Sequence, residues 1–100
     1  MRERDVERHL VTAAAAVGGL AVKHVSPGRS GDPDRLIAIP TPTCPTCGRG
    51  CAVGLLELKA PGEQPRPLQR ARILEWESLG VQVGFADTKS RVDEFLRNLK

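Results

Sequence analysis

The chain has no tyrosine and only three aromatic residues, Trp76, Phe85 and Phe95, among its 100. So few rings exclude a surface made of aromatic platforms on which unpaired bases stack. No apolar run approaches the length of about 20 residues that crosses a bilayer, and Met1-Arg2-Glu3-Arg4-Asp5 lacks the apolar stretch of a secretory leader. No membrane partner is expected, and the expected location is the cytoplasm. The three cysteines are odd in number and confined to positions 44–51, which argues against the disulfide framework of a secreted domain. Internal repeats are absent. Neither sign of charge dominates: 15 Lys and Arg against 12 Asp and Glu are compatible with a polyanionic partner without requiring one.

One hundred residues suffice for one hydrophobic core and not for two, so residues 1–100 are read as one domain. The apolar residues are mostly Val, Leu, Ile and Ala in short blocks, the pattern of an α/β chain. Val6, Leu10, Ala13, Ala14 and Val17 recur at helical spacing before Gly18-Gly19, predicting a helix over about 3–17, with Glu7 near its buried face. Leu20 to Val25 alternates as a strand and gives way to the Ser26-Pro27-Gly28 turn and a polar loop to Asp32. Leu36–Ile39 and Ala52–Lys59 read as two strands of a hairpin whose connection, at about 41–51, is rich in Pro, Thr, Cys and Gly. Pro67 suits the first turn of a helix running to Leu79 with Gly80 as its cap. Val81, Val83 and Phe85 then alternate as a fourth strand, and Val92, Phe95, Leu96 and Leu99 form a last helical stripe. The order is α β β β α β α.

Two short motifs flank the expected hairpin, Pro33-Asp34-Arg35 and Glu57-Leu58-Lys59. On a strand Glu57 and Lys59 point the same way, roughly 6.5 to 7 Å apart, while Leu58 points into the opposite layer. With Asp34 at the end of the neighbouring strand, two carboxylates would form an oxygen-rich ligand set of the kind Mg²⁺ prefers, with Lys59 beside it.

Taken with Glu7, Gly18-Gly19, Lys23, Gly31 before the Pro-Asp, Ala60-Pro61, Gln69 and Gly80, these residues resemble the small stand-alone VRR-NUC nucleases of phages and bacteria, within the PD-(D/E)xK superfamily. No one of them is specific; the ordered set is. The resemblance implies a restriction-endonuclease-like core, a mixed sheet of about four strands flanked by helices. It further implies that Asp34, Glu57 and the backbone carbonyl of Leu58 hold Mg²⁺ or Mn²⁺. Lys59 would assist the attacking water, Glu7 would contribute from the first helix, and Gln69 would fix Lys59 or the scissile phosphate. The catalytic set is thus Asp34, Glu57, Lys59, Gln69 and Glu7.

Lys23, Arg29, Arg35, Arg66 and Arg70, with Arg72 near them, lie around the two motifs in sequence and are candidate phosphate contacts. No recognition helix is evident beyond the core elements, so structure rather than base sequence is the expected basis of selection, with duplex or branched DNA as substrate. A homodimer cutting branched DNA such as Holliday junctions is what the resemblance implies; two sites related by a two-fold axis suit paired strands. Cys44, Cys47 and Cys51 form a Cys-x-x-Cys with a third thiol four residues on. Three sulfurs can hold zinc with a fourth ligand from His24, His9 or a second protomer, and they can equally remain free thiols. The competing reading is therefore a non-catalytic zinc-stabilised DNA-binding or interaction module.

Overall fold

The computed structural model describes residues 2–41 and 50–100. Seven elements follow in the expected order: α1 (Glu3–Ala16), β1 (Leu20–Lys23), β2 (Arg35–Pro40), β3 (Cys51–Leu58), α2 (Pro67–Ser78), β4 (Gln82–Ala86) and α3 (Lys89–Asn98). Local chemistry explains where they stop. Gly18 (φ +81°) and Gly80 (φ +90°) take the left-handed conformation that closes a helix. The Gly80 and Val81 amides turn back to the carbonyls of Glu77 and Trp76. At the other end of a helix, Thr88 caps α3 by accepting from the Arg91 amide at 3.2 Å. The first strand is two residues shorter than its alternation predicts.

The four strands lie in the order β1-β2-β3-β4. β1–β2 and β2–β3 are antiparallel, with Lys23 opposite Arg35 and Arg35 opposite Leu56. β4 runs parallel to β3, which the intervening α2 makes possible as a crossover. β3 is therefore central and buried from Gly54 to its end.

Side-chain alternation divides the molecule into layers. Leu56 and Leu58 face a core made with Val6 and Leu10 of α1, Ile37, and Val92 and Leu96 of α3. α1 and α3 share that face and are joined at its rim, where His9 Nε2 lies 2.7 Å from Asp93 Oδ1. Leu55, its strand partner Leu36 and Glu57 face the other way. α2 partly covers that side, and Leu20, Val22, Leu36 and Val53 remain exposed on it. Gly54 on β3 lets α3 seat closely, since a Cβ there would fall 2.7 Å from Leu99 Cδ2 and 2.9 Å from Phe95 Cζ. Gly54→Ala is expected to cost about 1–3 kcal/mol by overpacking, lowering the melting temperature by about 4–8 °C per kcal/mol. Thermal denaturation checks it, and an unchanged midpoint would show that α3 is not seated there.

Candidate active site

The β2–β3 register decides the site. Arg35 pairs with Leu56, so Asp34, one step before the strand, arrives beside Glu57, one step beyond that pair. Asp34 Oδ1 accepts from the Leu58 amide at 3.2 Å, which ties the start of β2 to the end of β3. Glu57 is 5% exposed and Lys59 9%. Lys59 Nζ lies 3.8 Å from Glu57 Oε1.

The two carboxylates perturb each other. Burial pushes the Glu57 carboxyl up from its ordinary 4.5 to about 7, and the charge of Asp34 adds to the rise; Lys59 and the Asp34 amide oppose it. Burial raises the Asp34 carboxyl as well, against the Leu58 amide, Arg35 and Lys59. Glu57 Oε2 is buried with no hydrogen-bond partner. A buried, unpartnered carboxylate oxygen beside a second carboxylate is poorly satisfied and suited to receiving a cation or a proton.

Gln69 reaches this pair from the first turn of α2. Its Oε1 accepts from the Arg66 amide at 2.8 Å, and its Nε2 donates to Glu57 Oε1 at 2.9 Å. The sequence reading aimed this side chain at Lys59 or a phosphate. The amide nitrogen is a donor, so it meets the Glu57 carboxylate rather than the Lys59 ammonium, and its second N–H is of the kind that a phosphate oxygen accepts.

Glu7 sits elsewhere. Its Oε2 pairs with the Arg35 guanidinium at 2.8 Å, on the α1 side of the sheet. Arg35 is 7% exposed, so the side chain expected to meet phosphate instead anchors α1 to β2. Glu3, one turn earlier, is the α1 acid whose charge bears on Glu57. Arg29 is likewise engaged, with Asp32 and Glu75, and Arg72 bonds the Ser30 carbonyl. Lys23, Arg66 and Arg70 are exposed and form no ion pair among the described residues.

Asp87, which the sequence did not single out, is buried at the end of β4. Its Oδ2 accepts from Gly62 at 3.0 Å, and its Oδ1 lies 3.1 Å from Arg91 Nε. With the Lys59 amide bonded to the Ala86 carbonyl at 2.9 Å, this fixes the turn that follows Lys59. An acid directly after a strand and before Thr88 was the available signal.

Cys44 and Cys47 lie outside the described residues, and Cys51 is exposed with its thiol 3.7 Å from the Ala52 carbonyl. His9 contacts Asp93, and His24 contacts Ser26 Oγ at 3.0 Å. Among the described residues no three His, Cys, Asp or Glu side chains converge as a metal-binding group.

Glu57 titrates higher in the folded chain than in the unfolded one, so between about pH 4.5 and 7 the fold binds more protons and loses stability as pH rises. Asp34 acts in the same direction. The metal-free protein is expected to melt lower at about pH 7.5 than at about pH 5, and Glu57→Gln to flatten that slope and melt higher at the upper pH. The gain is a few kcal/mol at most, at about 1.4 kcal/mol per pKa unit. An identical pH slope in parent and variant would rule out Glu57 as its source.

No protein-family model matches the chain. Over 89 residues it is 42% identical to "Putative nuclease p44" of Acyrthosiphon pisum secondary endosymbiont phage 1, a match covering 89% of this chain and 86% of the relative. A solved structure described as "VRR_NUC domain" shares its fold with a TM-score of 0.77 and 26% identity, over 96% of this chain and 95% of that one. Likeness in both sequence and fold, across nearly the full length of each, means that the chain belongs to the VRR-NUC nucleases.

Proposed function

We propose that this chain is a divalent-metal-dependent DNA endonuclease, acting within residues 1–100 as one catalytic domain. The observation that carries the reading is the meeting of Asp34, Glu57, Lys59 and Gln69 at the ends of β2 and β3, with Glu57 Oε2 buried and unpartnered. The donor set fits Mg²⁺ or Mn²⁺ in kind. Mg²⁺ is commonly held by one or two carboxylates, with waters and substrate phosphate completing its shell. Asp34 and Glu57 supply such a pair, and the Leu58 carbonyl is a third candidate.

When bound, such an ion polarises the phosphoryl oxygen and lowers the pKa of a coordinated water. The chain's own groups do the rest. Asp34 and Glu57 fix the position of attack, and the Gln69 amide keeps the Glu57 carboxylate oriented. Lys59, held beside Glu57 Oε1, orients the attacking water and offsets the negative charge that grows on the phosphate. Glu3 is the α1 acid whose charge adds to that of this cluster, while Glu7 serves it through Arg35.

DNA contacts are assigned to the exposed, unpaired Arg66, Arg70 and Lys23, and to Arg8 and Lys89, which line an open groove of about 450 Å³ between α1 and α3. Backbone contacts of this kind favour recognition of DNA shape, including four-way junctions, over base sequence. The exposed Leu20, Val22, Leu36 and Val53 on one sheet face support a homodimer, because contiguous apolar patches mark association surfaces. A cytoplasmic site of action accords with a DNA substrate, and among the described residues no helix is long and apolar enough to cross a membrane.

Cleavage of labelled four-way junction and linear duplex is expected in Mg²⁺ or Mn²⁺ and not in EDTA. Lys59→Ala should lose about 10²–10³-fold in rate with DNA binding largely kept; metal-dependent cutting that persists in Lys59→Ala would exclude this site. Light scattering tests the dimer: the parent is expected at twice the chain mass and Val22→Lys at once. A monomeric parent that still cuts would separate cleavage from association.

A further inference from the structure

α2 is weakly embedded. None of its side chains is fully buried, and Leu68, Leu74 and the following Leu79 are 47, 59 and 74% exposed. A set of contacts ties it to the β1–β2 connection. Trp76 Nε1 donates to Asp32 Oδ1 at 2.9 Å. Arg29 lies over the Trp76 ring, 5.7 Å from its centroid, and bonds both Asp32 and Glu75. Arg72 Nε donates to the Ser30 carbonyl at 3.0 Å. Gly31 (φ +86°) lies flat on the helix, since a Cβ there would come 2.8 Å from Leu68 Cγ.

Both partners lead directly to the catalytic cluster. Asp32, whose side chain is 4% exposed, is separated from Asp34 only by the fully buried, φ-restricted Pro33. Trp76 lies seven residues after Gln69, two turns along the same helix face. The Asp32–Trp76 contact therefore joins the segment carrying Asp34 to the helix whose Gln69 grips Glu57. Asp32 suits the role. Its Oδ1 accepts from both the indole Nε1 and Arg29 Nε at 2.9 Å, and its side chain is almost wholly buried.

We infer that Asp32 and Trp76 are positioning residues, which set the distance between Asp34 and the Gln69-held Glu57 by clamping the β1–β2 connection to α2. The inference rests on the endonuclease reading only for its effect on rate. Neither residue touches the reacting atoms; each acts through the element it holds.

Trp76→Phe keeps the ring and removes the donor, and Asp32→Ala removes the acceptor. Each is expected to lower kcat by about 10- to 100-fold, the scale of a small misplacement of reacting groups, with KM for DNA nearly unchanged. Asp32→Asn, which keeps an acceptor for the indole, should restore most of the rate. In a Gln69→Leu background Trp76→Phe should add little, because the group it positions is already gone. A second readout needs no catalysis: in ¹⁵N spectra of the metal-free protein, the Gln69 side-chain amide should lose its hydrogen-bonded shift in Trp76→Phe and Asp32→Ala. Full kcat in both variants, effects that multiply with Gln69→Leu, or an unmoved Gln69 amide would overturn the clamp. A parent that cuts no DNA but shows the Gln69 change would overturn the endonuclease reading and leave the clamp standing.

Discussion

Two carboxylates placed together out of water repel each other, and much of this structure is arranged around holding Asp34 and Glu57 in that condition. Each nearby group relieves part of the repulsion and none removes it. The Leu58 amide satisfies one oxygen of Asp34, Gln69 satisfies one oxygen of Glu57, and Lys59 contributes a positive charge at 3.8 Å. One oxygen of Glu57 is left over. A site left short of positive charge is costly to the fold and useful to chemistry, since the missing charge is what a divalent cation would supply.

The packing that pays for this corner is laid out on the opposite side of the sheet. Leu56 and Leu58, the neighbours of Glu57 along β3, reach a continuous apolar layer with α1 and α3. The same strand thus carries its stability on one face and its strain on the other. Arg35 and Glu7 stitch the two helices' layer to β2, which keeps Asp34 in register even though its own side chain is unfavourably placed.

The element order was readable because glycine and proline mark the ends of helices by backbone geometry, which needs no tertiary information: Gly18, Gly80 and Pro67 act as their types require. The convergence of Asp34 with Glu57 and Lys59 was readable from strand alternation together with the expected hairpin. Ionic partners were not. Arg29 and Arg35 look in sequence like free phosphate contacts, and only the fold shows Glu75 and Glu7 neutralising them. Asp32 and Trp76 stand 44 positions apart, and no local pattern links an acid in a loop to an indole on a later helix. Glu3 and Glu7 share one helix, so spacing alone could not rank them; the pairing of Glu7 with Arg35 does.

The β2–β3 hairpin runs from Arg35 opposite Leu56 beside the Asp34–Glu57 pair to Pro40 opposite Cys51 at the other end. Five steps of about 3.3 Å separate those rungs, and the ladder between them is continuous. The Pro40–Cys51 end of the ladder is therefore held apart from the Asp34–Glu57 pair by the stiffness of the paired strands. A change at the Cys51 end reaches the carboxylates only through those rungs. A ladder of this kind keeps a disturbance at one end of a hairpin from reaching the other.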